Sequence, residues 1–239
     1  PTPRVSIDSI AFHHLVPAGG ASKDAGESRA LALAEAVERM STFHHRDDPI
    51  IEGFARELDG PWLSPASLDG FADDQYANDP VRNRYGWSAR PNRWTEEQPT
   101  AWIRVTGHGI AEDCWAPAQH CLFEAQSSGI LFSIASSNGV SAGGDFTEAA
   151  LHGFLELVER DAIAMWWYHR IPRPPAKADS DPSVAADITL CRSWIDQRSL
   201  DFHLLDLTHD FGIPVVAAVA SARGSASPEL IGFGCDFDP

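Results

Sequence analysis

Five positions of this chain recur at one fixed interval. Asp24, Glu27, Glu35, Glu38 and Arg39 are answered 121 residues later by Asp145, Glu148, Glu156, Glu159 and Arg160. A pair of glycines precedes each set, Gly19-Gly20 and Gly143-Gly144. In both copies an aspartate stands where a helix needs a side-chain acceptor for its first N–H groups, with a glutamate three residues on. The sequence therefore predicts two helices, about Asp24–His45 and Gly144–Arg170. Each is opened by a Gly-rich turn and each carries Glu-x-x-Glu-Arg. Glutamates three apart emerge side by side from one helix face. Two such pairs turned to a common cleft suit divalent cations. The same spacing also suits an ordinary solvated face, where a Glu–Arg pair contributes only a few tenths of a kcal/mol. The joint recurrence of all five positions favours the first reading.

Apolar residues fall at helical spacing in both segments. Leu31, Leu33, Val37, Met40 and Phe43 are the expected buried positions of the first helix. Ala149, Leu151, Phe154, Leu155, Leu157 and Val158 are those of the second, which is so apolar around its glutamates that full exposure of the pair is disfavoured. Lys23 precedes the first cap, where a lysine serves as a solvated charge or reaches a phosphate over the helix N-terminus.

Elsewhere the pattern is mixed. Pro1–Val16 reads as an irregular strand, Pro17–Gly20 as a turn and Ile50–Leu58 as a short helix. A loop-rich region follows to Pro99, its Trp62, Tyr76, Tyr85, Trp87 and Trp94 pinning loops to a core. Strands are expected at Thr100–Thr106 and Asp113–Ala116, joined by a turn over Gly107–Ile110. A helix is expected at Pro117–Gln126, a strand at Ile130–Ser136 and a turn at Ser136–Gly139. Pro172, Pro174 and Pro175 end the second long helix. Asp179–Ala186 reads as a linker and Ile188–Leu200 as a helix. Strands close the chain at Phe202–Leu207, Ile213–Ala220 and Glu229–Gly234. Without a βαβ rhythm, this order predicts an α+β fold, long helices on largely antiparallel sheets. It is read as one incomplete domain over residues 1–239, with repeat units at about 19–45 and 140–170 and a loop-rich insertion at about 46–99. Gly234-Cys235-Asp236-Phe237-Asp238-Pro239 resembles the lead-in to the second helix, and Asp-Pro opens helices well. A third helix is expected beyond it, in a split or truncated domain that another chain completes.

Composition narrows the function. A formal net charge of −16 and a pI near 4.8 repel phosphate backbones, so no nucleic-acid partner is expected. Mg²⁺ bridging carboxylates to a nucleotide is compatible with that charge. Apolar runs are too short to span a bilayer and no signal segment opens the chain, so no membrane role is expected and the cytoplasm is the default. Cys114, Cys121, Cys191 and Cys235 are scattered and read as plain buried thiols. The doublets His13-His14 and His44-His45 are poor chelators, because adjacent side chains diverge. No Gly-x-Gly-x-x-Gly or Walker lysine motif is present.

The block SSNGVSAGGDFTEAALHGFLELVERDAIAMWWYHR, together with ALALAEAVERMS, resembles the YcaO family, and the likeness covers most of the chain from Gly19 onward. It implies an ATP-dependent cyclodehydratase of ribosomally made peptides, with ATP and Mg²⁺ held between the glutamate helices on a fold unlike that of common kinases. Carried over by position, it implies that Glu35, Glu38, Glu156 and Glu159 bind Mg²⁺ or the phosphates it bridges. Glu148 and Arg160 become nucleotide contacts, with Ser141 a further candidate. Leu31 stands where the family often has Ser, and Gly144 where it usually has Asn; neither donates a side-chain hydrogen bond. The third nucleotide-binding segment and proline-rich C-terminus of the family have no counterpart here. The implied chemistry is phosphorylation of an amide oxygen leading to an azoline, with no Cys–His or Ser–His nucleophile pair and no assigned catalytic residue. Implied partners are a precursor peptide, a complementing C-terminal YcaO chain and a leader-peptide-binding protein, in a homo- or hetero-oligomer. Thioamide or amidine formation stays open within the class. Outside it stand a degenerate YcaO scaffold that binds leader peptide, and a metal hydrolase working without ATP.

Overall fold

The computed structural model describes residues 18–68, 70–77, 92–107, 113–125, 131–133, 135–177, 182–225 and 228–237. The expected Pro1–Val16 strand, Tyr85, Trp87 and most of the Gly107–Ile110 turn lie outside them. The chain divides into two units, Pro1–Ser137 and Asn138–Pro239, at the turn before the second long helix.

In the first unit, α1 (Ala25–Ser41) begins at Asp24, whose Oδ1 accepts the Glu27 N–H at 2.8 Å. It stops short of the expected His45. The Thr42 hydroxyl donates back to the Arg39 carbonyl at 2.7 Å, and Phe43 leaves to pair with Phe123. The apolar stripe is not buried as expected: Leu31, Leu33, Val37 and Met40 are 46–68% exposed. Periodicity marks a face that gains from cover, and no described element covers this one.

Three short strands, β1 (Ile51–Gly53), β2 (Thr100–Val105) and β3 (Cys114–Pro117), form an antiparallel sheet in that order. Ile50–Leu58 is thus not a helix. β-Branched Ile51 favours an extended pairing, Gly53 disfavours a helix, and only a short 3₁₀ turn follows at Ala55–Glu57. Trp62, Trp94, Trp102 and Trp115 pack with Ala55 and Phe132 into the core, so the loop aromatics do pin this region. Three of their indole N–H groups are satisfied: Trp94 on Thr100, Trp102 on the Gly53 carbonyl, Trp115 on Asp59. Two one-turn helices, α2 (Pro65–Leu68) and α3 (Asp73–Ala77), interrupt the loop region. The expected helix from Pro117 shrinks to one turn, α4 (Ala118–Cys121), because Leu122 turns extended so that Phe123 can reach Phe43. The described residues of the expected Ile130–Ser136 strand are irregular. Leu131 accepts from both the backbone and side-chain nitrogens of Asn92, and Phe132 fills the core.

The second unit is a sheet between two helices. β4 (Leu200–Asp206), β5 (Val215–Ala222) and β6 (Pro228–Cys235) pair antiparallel in that order, close to the predicted spans. α5 (Phe146–His169) runs almost the full predicted length and ends with Arg170 in the left-handed region, just before the prolines. α6 (Pro182–Asp196) begins earlier than predicted, absorbing part of the supposed linker. Val158 and Ala162 of α5 pack on Leu207, Val215 and Ala217. Ile195 of α6 packs with Leu200 and Ala220. Side chains alternate along a strand, so the odd β5 positions serve α5 and the even ones serve α6, on opposite faces. Among the described residues no helix is long and apolar enough to cross a membrane. All four cysteines are free; Cys114 is buried as expected, but Cys191 is exposed.

Candidate functional site

The first glutamate of each helix accepts a glycine N–H from the segment before it, Gly19 for α1 and Gly139 for α5. In the first unit, Glu35 Oε2 accepts the Gly19 N–H at 2.6 Å and Oε1 accepts from Arg39, one turn on. The Gly19 hydrogen bond, then Arg39, holds the Glu35 carboxyl below its ordinary range. In the second unit, Glu156 Oε2 accepts the Gly139 N–H at 3.0 Å, and Arg160 donates to Oε1 at 3.1 Å. The caps match too: Asp145 Oδ1 accepts the Glu148 N–H at 2.9 Å, as Asp24 does for Glu27. Close approach makes the second turn possible. Gly139 sits at φ +79°, and a Cβ on Gly153 would lie 2.5 Å from the Gly139 carbonyl oxygen. Only glycine at both positions lets the turn lie flat against α5.

On α5 the second glutamate of the pair is placed differently from the first. Glu38 is half-buried on α1. Glu159 is half-buried on the flank of α5, and among the described residues no hydrogen bond or ion pair reaches its carboxylate. Burial pushes the Glu159 carboxyl up; Arg160 opposes that rise and Glu156 adds to it. A cavity of about 330 Å³ opens there, lined by Leu151, His152, Leu155, Glu156, Glu159 and the Cys235–Phe237 segment at the end of β6. Burial raises the Cys235 thiol, with Glu159 and Asp236 adding to the rise. The cavity thus gathers carboxylates around a partly desolvated space, where a cation relieves both burial and mutual repulsion.

The remaining predicted residues have local roles. Glu148 Oε2 accepts the Gly144 N–H at 2.7 Å, so this carboxylate fastens the helix start. The Ser141 hydroxyl donates to the Ala142 carbonyl at 3.2 Å. Arg160 is half exposed beyond its bond to Glu156. Sequence reasoning missed His152, one turn before Glu156 and legible by helical spacing, and also Cys235 and Asp236, which only the fold brings to α5. Among the described residues no three His, Cys, Asp or Glu side chains converge on a metal position. Paired carboxylates still fit Mg²⁺, which takes one or two carboxylates and completes its shell with phosphate oxygens and water.

A family model described as YcaO cyclodehydratase, ATP- and Mg²⁺-binding, matches residues 19–239. A heterocyclase solved in complex with substrate and cofactor is 31% identical, with a TM-score of 0.82; the match covers 92% of this chain and 30% of that one. The YcaO from Methanopyrus kandleri, solved with AMPPCP and Mg²⁺, shares the fold at 22% identity and a TM-score of 0.60, covering 92% of this chain and 50% of that one. An uncharacterised protein of Methanothermobacter thermautotrophicus is 26% identical over 217 residues, 89% of this chain and 50% of its own length. The chain spans about half the length of that relative.

Proposed function

Since the chain belongs to the YcaO family, we propose that it takes part in ATP-dependent activation of a peptide backbone amide, leading to an azoline in a ribosomal precursor peptide. The observation that carries this reading is Glu159: a half-buried, unpartnered carboxylate beside Glu156, at the family's Glu-x-x-Glu-Arg motif. Glu159 is proposed as the carboxylate most available to Mg²⁺, with Glu38 its counterpart on α1. Glu35 and Glu156 keep one oxygen on a backbone N–H and set the turn, and the oxygen shared with arginine is the one that would be left for metal or phosphate. Arg160 then pairs with phosphate through its free edge, Glu148 holds the helix start, and Ser141 lies in the adjoining turn.

A Cys, Ser or Thr side chain of the peptide adds to the preceding carbonyl carbon, giving a hemiorthoamide. Its oxygen takes the γ-phosphoryl group of ATP and ADP departs. Inorganic phosphate then leaves with the C–O bond electrons as the nitrogen lone pair forms C=N and the N–H proton is lost. An amide oxygen is a poor leaving group in water, and phosphorylation removes that obstacle. Mg²⁺ supplies charge neutralisation on the β- and γ-phosphates. The chain's own share is positioning and electrostatics, for which placed carboxylates and an arginine suffice. The precursor peptide is the proposed substrate. The part of the relatives' fold that this chain does not span, on this or another polypeptide, is the proposed complement, alongside a leader-peptide-binding protein.

The test is phosphate release from ATP in the presence of a Cys-, Ser- or Thr-containing precursor peptide and the complementing chain. Release should require peptide and Mg²⁺ and should fall at least a hundredfold in Glu156→Gln/Glu159→Gln. Full activity of that double variant defeats the proposal. A scaffold role is the second reading, favoured by Leu31 and Gly144, which offer no side-chain donor; it predicts peptide binding with no response to Mg-ATP.

A further inference from the structure

Independently of the glutamate site, the second unit holds a histidine set between two carboxylates. His209 lies in the turn after β4, its side chain 16% exposed and met edge-on by Phe211 at 5.5 Å. Its Nδ1 is 2.5 Å from Asp210 Oδ1. Its Nε2 is fully buried and has no hydrogen-bond partner. The facing group is Asp161 Oδ2 on α5, at 3.6 Å.

That separation is too long for a hydrogen bond. In the tautomer that gives its Nδ1–H to Asp210, Nε2 turns a lone pair toward the Asp161 carboxylate oxygen, and something positive belongs between them. Two ligands about 2.0–2.1 Å from a shared tetrahedral ion stand about 3.4 Å apart, close to what is found. Asp210 occupies the place of the outer carboxylate that commonly orients a metal-bound histidine. A cavity of about 400 Å³ adjoins the pair, lined by Asp161, Met165, Trp166, Arg173, His209 and Asp210 among others, and gives water ligands access. The Arg173 guanidinium in that cavity is held by the carbonyls of Asp206 and Thr208, on the β4 side.

We propose that Asp161 Oδ2 and His209 Nε2 bind a divalent transition-metal ion with Zn²⁺-like preference for imidazole and carboxylate. Asp210 fixes the imidazole from behind, and water completes the coordination shell. Such a site ties α5, one residue past Arg160, to the turn after β4.

The test is titration of the full chain with Co²⁺ in excess Mg²⁺, followed by visible absorption and competition with Zn²⁺. One equivalent should bind. Asp161→Asn and His209→Ala should each weaken binding at least tenfold, and Asp210→Asn about tenfold. The Glu156→Gln/Glu159→Gln variant should bind Co²⁺ as the native chain does, which separates this site from the proposed ATP site. Asp161 is 59% exposed, so Asp161→Asn keeps the fold even if removing the imidazole does not. Unchanged affinity in Asp161→Asn overturns the proposal. So does absence of any Co²⁺ binding, which would mean that a proton alone bridges the pair.

Discussion

Replacing Gly153 by alanine sets two effects of opposite sign against each other. In an exposed helix interior the change stabilises by about 1 kcal/mol, the propensity difference between the two residues. On α5 the new Cβ would meet the Gly139 carbonyl oxygen at 2.5 Å and its carbon at 3.2 Å, both backbone atoms. The turn must retreat by roughly 0.9 Å to restore ordinary contact, and overpacking of this kind costs about 1–3 kcal/mol. The retreat also draws the Gly139 N–H off Glu156 Oε2, now at 3.0 Å. A hydrogen bond to a charged group contributes about 1.5–3 kcal/mol, and solvent access to Glu156 favours the low end. The net expectation is a loss of about 2 kcal/mol, read as a lower urea midpoint at unchanged m-value, with weaker Mg-ATP binding because Glu156 loses its anchor. A Gly153→Ala chain as stable as the native one, or more so, would refute the close packing of turn on helix.

Glu159→Gln should raise stability at pH 7 while weakening Mg-ATP binding. The folded-state pKa of Glu159 is raised, so its contribution falls as pH rises from the unfolded value through the folded one, and above that the charge is a cost. Screening on a half-exposed group keeps the gain below about 1 kcal/mol, and urea midpoints at pH 4 and pH 7 should show the advantage only at the higher pH. Glu35→Gln should behave oppositely. The Glu35 pKa is lowered, so its stabilisation is present above the unfolded value and lost as pH falls through the folded one; the gap between native and variant should close on the acid side. Trp102→Ala, at a side chain with no exposed surface and with its N–H on Gly53, should cost about 3–5 kcal/mol. A loss under about 1 kcal/mol would mean that the tryptophan cluster does not hold the first unit.

What the sequence disclosed was chiefly local chemistry. Asp24 and Asp145 cap their helices because capping involves residues three apart, and β4, β5 and β6 fall near their predicted spans because alternation is a property of each strand. The errors occur where distant contacts decide. Leu33, Val37 and Met40 are periodic yet exposed, and Leu122 abandons a helix so that Phe123 can meet Phe43. The pairs of Glu35 with Arg39 and Glu156 with Arg160 follow from helical spacing, but their bonds to Gly19 and Gly139 give them a structural task that spacing does not reveal. Asp236 reaches the Glu159 cavity, and Asp161 faces His209, only through the packing of α5 on the sheet.

The central claim is that the paired glutamates receive Mg²⁺-bridged phosphates. Calorimetric titration with ATP, with and without Mg²⁺, on the native chain and on Glu38→Gln/Glu159→Gln, tests it most directly. Saturable binding that requires Mg²⁺ and weakens at least tenfold in the variant is the expected result. Binding of equal strength in both proteins, or binding indifferent to Mg²⁺, would contradict it.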